Sequence, residues 1–212
     1  MPMDGDSAIT PETAVKPISS GAEYIETLRG RGLKVYLFGE LVGEPVDHPM
    51  IRPSINAVAK TYDLANENPD LASAKSSICG KTVNRFLHVT ESVDDVVMQN
   101  RMQRKLGQLT GTCFQRCVGM DATNALHSVT YEIDEKHGTP YHARFKDFIA
   151  RMQEANYVIG GAMTDVKGDR GKGPAMPDPY SFWPRDQVSS AGPLNQLRIS
   201  VSLRPNFRNT LY

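Results

Sequence analysis

Cysteine, tryptophan, net charge and long apolar runs are what this chain has least of. Three cysteines, Cys79, Cys113 and Cys117, stand in 212 residues. So small and odd a number argues against a disulfide framework and leaves thiols that either pack as small apolar groups or bind metal. No apolar stretch approaches the ~20 residues needed to span a bilayer. The opening segment, MPMDGDSAITPETAVKP, lacks the apolar core of a secretory signal. A cytoplasmic location without a membrane partner is therefore expected. Lys plus Arg and Asp plus Glu are equal at 24 each, which removes any general electrostatic reason to bind nucleic acid. What remains is an ordinary globular composition, 40% hydrophobic and 23% charged, long enough for one domain with a sizeable core or for a domain and a half.

The pattern along the chain is mainly helical. Residues 1–19 are rich in Pro, Ser, Thr, Gly and Asp and read as a flexible lead-in. Ser20 is placed to cap a helix with Glu23 three residues on, and Gly30 and Gly32 end it. Leu33–Phe38 alternates as a short strand, and Gly39–Pro49 reads as a loop. Ile51–Asn66 repeats at the helical period, with Pro53 tolerable in its first turn, and Asn68–Gly80 reads as a polar connection. Further helices are expected over Ser92–Gln108, Thr112–Lys136 with Gly138 as its stop, and Pro140–Ala155. Tyr157–Met163 has the character of a buried strand. The expected organisation is a helical domain over 20–155, the start of a β domain over 156–180, and an unassigned tail without regular order over 181–212.

Cys113-Phe-Gln-Arg-Cys117 is the stretch most charged with chemistry. Four residues apart on a helix, the two cysteines would share a face at roughly 5–6 Å between Cβ atoms, a separation suited to thiolates on neighbouring irons of one cluster. The same spacing also fits two buried apolar side chains. Cys79 reads as structural. His48 is suited either to lining a site or to capping the helix after it.

Longer words then become recognisable. Asp47-His-Pro-Met-Ile-Arg-Pro-Ser-Ile-Asn56 resembles a signature of the 4-hydroxyphenylacetate 3-hydroxylase superfamily. Cys113-Phe-Gln-Arg-Cys-Val-Gly-Met-Asp-Ala122, Thr130-Tyr-Glu-Ile-Asp134, Gly161-Ala-Met-Thr-Asp165 and Lys167-Gly-Asp-Arg-Gly171 are similar to the 4-hydroxybutyryl-CoA dehydratase branch of it. The likeness runs from about Ser20 to about Pro179. It implies an acyl-CoA-dehydrogenase-like amino-terminal helical domain followed by the start of a β domain. It implies FAD lying against Met163, Thr164, Asp165, Val166, Lys167, Gly168, Asp169 and Arg170. It also implies a 4Fe-4S cluster with Cys113 and Cys117 as two of its four ligands.

The activity implied is a lyase and isomerase one: a radical dehydration of an acyl-CoA substrate, 4-hydroxybutyryl-CoA, to crotonyl-CoA, with vinylacetyl-CoA isomerisation. The hydrogen to be removed is β to the thioester and not acidic, so such enzymes acidify the α position and then use one-electron oxidation by flavin, with iron as Lewis acid on the leaving hydroxyl. Gln115 is expected either to donate a hydrogen bond towards the site or to be an ordinary surface residue. A homotetramer is implied for full-length members. Residues 181–212 do not align with the family, and the isolated chain is expected to be inactive. The alternatives are a flavin-dependent aromatic hydroxylase, which has no use for the thiol pair, and a non-catalytic product of a truncated gene.

Overall fold

The computed structural model describes residues 16–163 and 197–201. The architecture is mostly helical. Six helices, α1 (Gly21–Leu28), α2 (Arg52–Glu67), α3 (Pro69–Ala72), α4 (Val93–Thr110), α5 (Cys117–His137) and α6 (Tyr141–Ala155), alternate with short antiparallel strand pairs. Those pairs are β1 (Val35–Leu37) with β2 (Glu40–Val42), β3 (Ser73–Lys75) with β4 (Thr82–Asn84), and β5 (Ile159–Met163) with β6 (Leu197–Val201).

The helix ends follow local chemistry. Ser20 caps α1 by accepting the Glu23 N–H, while the Glu23 carboxylate reaches back one residue further than expected, to the N–H and hydroxyl of Ser19. Ser92 and Asp95 form a complete capping box on α4. Gly111 and Gly138 close α4 and α5 in the left-handed conformation, where an L side chain is strained. No cap comes from Pro140 at the start of α6. Instead Asp134, near the end of α5, accepts from the Tyr141 and His142 N–H groups and from the Thr139 hydroxyl.

Three expectations are corrected. The loop expected over Gly39–Pro49 contains β2 and a 3-10 turn at Pro45–Asp47. The connection expected over Asn68–Gly80 contains α3 and β3. Both strands are three residues long, too short to show a period, and their order comes from partners across the turn. The buried Arg85 fork fixes that corner by donating to the carbonyls of Leu71, Ser73 and Asp70. The segment 181–212, expected without regular order, supplies β6: Leu197–Val201 pairs with β5. The start of α5 is corrected as well and is described with the cysteines below.

Two apolar clusters share α2. One gathers Val58, Tyr62, Leu87, Phe145, Ile149, Met152, Tyr157 and Ile159. The other gathers Ala57, Leu64, Phe86, Met102, Leu106, Phe114 and Met120. The stripe expected on α6 is buried at Phe145, Ile149 and Met152, whereas Tyr141 stays exposed. Buried polar groups stitch the elements together: the Gln153 amide donates to the Leu87 carbonyl and accepts from the Ser76 hydroxyl, and the Asn84 amide donates to the Thr61 carbonyl. Among the described residues no helix is long and apolar enough to cross a membrane.

Candidate functional site

The segment between α4 and α5 alternates. Cys113 and Gln115 are exposed, while Phe114 and Arg116 are buried. Two inward side chains two residues apart do not fit an α-helix, which would turn them to nearly opposite sides. The backbone resolves the conflict by leaving helical geometry. Gln115 adopts φ 58°, and α5 begins only at Cys117. The helix expected from Thr112 therefore starts five residues later, and the cysteines do not share a helix face. Cys113 sits in the turn and Cys117 is the first residue of α5.

The thiols nevertheless lie near enough to influence one another. Burial and the neighbouring Cys113 push the Cys117 thiol up, against the opposing pull of the Val118 and Cys117 N–H groups at the helix start. The Cys113 sulfur accepts the Gln115 N–H at 3.4 Å. Neither cysteine is in a disulfide; Cys113 is exposed and Cys117 half-buried, so the pair opens outward rather than being sealed in hydrocarbon. Gln115 is exposed beside Cys113.

Beneath this turn lies Arg116, 1% exposed. Its guanidinium carbon stands 4.9 Å from the Tyr62 ring centroid and 5.0 Å from that of Phe86, one ring from each apolar cluster. One terminal nitrogen donates to the Thr61 hydroxyl at 2.9 Å and the other to the Tyr157 carbonyl at 3.4 Å, while Nε has no partner among the described residues. Tyr62 in turn stacks on Tyr24 and donates to the Asn156 carbonyl at 2.8 Å. Burial holds the Tyr62 phenol up at about 12, with the Arg116 charge opposing, so Tyr62 is a neutral π face and not a counterion. Burial likewise pushes the Arg116 guanidinium below its ordinary value.

A second contact ties the turn to β5. A Cβ on Gly119 would lie 1.8 Å from the Ile159 carbonyl oxygen, so only glycine permits the first turn of α5 to rest on the start of β5. That strand ends at Met163, the first of the residues expected to lie against FAD. Of Met163, Thr164, Asp165, Val166, Lys167, Gly168, Asp169 and Arg170, the backbone of Met163 ends β5; the rest lie outside the described residues.

Other residues weighed from the sequence have local roles. The carbonyl of His48 accepts the Ile51 and Arg52 N–H groups, and its Nδ1 accepts the Met50 N–H at 3.3 Å, so it organises the start of α2. Arg52 is occupied by Asp47, Asn56 and the Val46 carbonyl. The Cys79 N–H donates to the Ser76 hydroxyl. His127 and His142 pack edge to face at 4.9 Å on α5 and α6. Among the described residues no three His, Cys, Asp or Glu side chains converge as a metal site. Sequence reasoning missed Arg116 as a feature of the site; its signal was the alternation of Phe114 and Arg116 between two polar positions.

The donor set fits a soft iron–sulfur centre in part. Two outward thiols, one in the turn and one at the helix start, would supply two of the four protein ligands such a cluster usually takes.

The family model described as 4-hydroxyphenylacetate 3-hydroxylase N terminal matches residues 20–183. The 4-hydroxybutyryl-CoA dehydratase/vinylacetyl-CoA-Delta-isomerase of Clostridium aminobutyricum is 52% identical over 168 residues, covering 78% of this chain and 34% of that protein. A solved oxygen-tolerant archaeal 4-hydroxybutyryl-CoA dehydratase from N. maritimus is 73% identical with a TM-score of 0.69, over 76% of this chain and 32% of that one. The oxygenase component of 4-hydroxyphenylacetate 3-monooxygenase has a TM-score of 0.53 at 18% identity, over 74% of this chain and 33% of that one, a likeness of fold alone. The chain thus spans about a third of the length of these relatives.

Proposed function

Because the chain belongs to the 4-hydroxyphenylacetate 3-hydroxylase N-terminal family, we propose that it is the amino-terminal region of a dehydratase acting on 4-hydroxybutyryl-CoA, with Cys113 and Cys117 as two ligands of a 4Fe-4S cluster and the segment from Met163 to Arg170 facing FAD. The observation that carries the reading is the outward pair of interacting thiols on the 113–117 turn. Its support is the 52% and 73% identity to named dehydratases. An aromatic hydroxylase gives the thiol pair no task.

When bound, an iron–sulfur cluster and FAD supply Lewis acidity towards a leaving hydroxyl and one-electron redox capacity. The chain's own residues do the holding. Cys113 and Cys117 present sulfur from the turn and from the helix start, where Val118 N–H helps to stabilise a thiolate. Gln115, exposed between them, offers an amide donor to an oxygen of the substrate. Phe114 and Arg116 anchor the turn from beneath, and the Gly119–Ile159 contact sets its height over β5.

Anaerobic reconstitution with ferrous iron and sulfide, followed by metal and sulfide analysis, tests the assignment. The wild-type chain is expected to retain both, and Cys113→Ala and Cys117→Ala each to lose them. Iron content independent of both thiols would end the reading.

A further inference from the structure

Arg116 is an expensive residue to bury, and its partners differ from those of the other buried arginine. Arg85 has the Asp95 carboxylate at 3.7 Å as well as three backbone carbonyls. No carboxylate partners Arg116 among the described residues; two aromatic faces, one hydroxyl and one carbonyl do. Replacing a buried charge by an apolar side chain of similar volume often leaves a protein as stable or more so. Core stability alone therefore does not account for a guanidinium here. What an apolar chain cannot reproduce is orientation: a rigid plane set against two aromatic rings, with a fork whose ends reach two different elements.

The geometry points to Arg116 as a positioning residue for the thiol pair. Its guanidinium carbon lies over the rings of Tyr62 of α2 and of Phe86, and its two ends reach Thr61 of α2 and the Tyr157 carbonyl just before β5. It is also the residue immediately before Cys117 and three after Cys113. Locking its side chain locks the backbone that carries both sulfurs, so the pair is held in one arrangement before any metal arrives. The same grip fixes the turn relative to the strand leading to residues 164–170. Arg116 acts through the backbone and not by touching the metal. The inference rests on the reading of Cys113 and Cys117 as ligands.

Phenylarsine oxide tests the spacing without any cluster. Its trivalent arsenic forms bonds to two sulfurs, the two thiol protons leave with its oxygen as one water, and no oxidation state changes. The reduced 212-residue chain is titrated anaerobically, with Cys113→Ser as the blank. Wild type is expected to take up one arsenical at the pair. Arg116→Met is expected to keep its melting temperature within a few degrees and to bind the arsenical more weakly by about tenfold or more, as preorganisation of the two sulfurs is lost. Arg116→Lys, which keeps the charge but not the fork, is expected to fall with it. Thr61→Val removes one anchor while sparing both rings and is expected to show a smaller loss. A folded Arg116→Met chain that binds like wild type overturns the inference. If that variant fails to fold, unchanged affinity in Thr61→Val overturns it. Failure of the ligand reading itself looks different: iron and sulfide would be absent from the wild-type chain while the arsenical differences persisted.

Discussion

The approach of Gly119 to the Ile159 backbone makes a quantitative demand. Replacing Gly119 by alanine puts a methyl carbon 1.8 Å from the Ile159 carbonyl oxygen, 2.5 Å from its carbonyl carbon and 3.1 Å from its Cβ. Restoring ordinary van der Waals separation means opening the α5–β5 approach by about 1.6 Å. No flexible side chain stands in the way to give ground; the obstacle is the first residue of a strand.

Overpacking of this kind costs about 1–3 kcal/mol, and more when only backbone can move. Against it stands the gain of about 1 kcal/mol that alanine brings to a helix interior over glycine. The net expectation is about 2 kcal/mol of destabilisation or more, a fall in melting temperature of about 4–8 °C for a domain of this size.

Gly107 provides the control. It lies inside α4, and a Cβ there meets nothing within 4 Å. Gly107→Ala is therefore expected to raise stability by up to about 1 kcal/mol. Thermal unfolding of the three proteins, followed by far-ultraviolet circular dichroism, decides the matter. A Gly119→Ala chain as stable as the Gly107→Ala chain would refute the close packing of α5 on β5, and with it the coupling of the thiol turn to that strand.

Two further outcomes follow from buried and capping polar groups. Tyr62→Phe deprives the Asn156 carbonyl of its donor at a residue whose Oδ1 already lacks a partner, and is expected to cost about 1–2 kcal/mol in denaturant unfolding. Asp134→Ala uncaps α6. Burial pushes the Asp134 carboxyl up, but hydrogen bonds from Thr139, His142 and Tyr141 outweigh it and hold the group below its ordinary value. Its stabilising contribution is therefore whole above about pH 4 and disappears as the pH falls through the lowered folded-state value. The difference in melting temperature between wild type and Asp134→Ala should close towards pH 2, and a gap unaffected by acid would contradict the assignment.

Much of the helical frame was legible because helix ends are local chemistry. Ser20, Ser92 and Gly138 act at the positions where such residues stop or start helices, and the α6 stripe points inward at Phe145, Ile149 and Met152. The hairpin strand Glu40–Val42 and the corner strand Ser73–Lys75 were not legible, since three residues carry no period and their order comes from Val35–Leu37 and Thr82–Asn84 opposite.

The start of α5 was misjudged for a different reason. Helical periodicity extends back through Phe114 and Arg116 only while the two are not both turned inward. Once Arg116 is taken as an inward residue, the pair reads as period two and the helix must begin after it. That alternation is the mark an inward arginine leaves in the sequence; the rings of Tyr62 and Phe86, brought together from distant positions, give it a place. The cysteine pair, by contrast, was legible as a pair, although its geometry is that of a turn meeting a helix.

The in-and-out alternation of residues 113–116 separates two kinds of inheritance. Phe114 and Arg116 are foundations, bound to the interior and constrained by everything packed there; Cys113 and Gln115 are fittings, facing out and supporting little of the weight. A lineage can exchange the fittings while leaving the foundations alone. The same helical frame can therefore gain or shed a soft-metal handhold at this corner through substitutions that leave its architecture undisturbed, and the acquisition of new chemistry need not wait for a new fold.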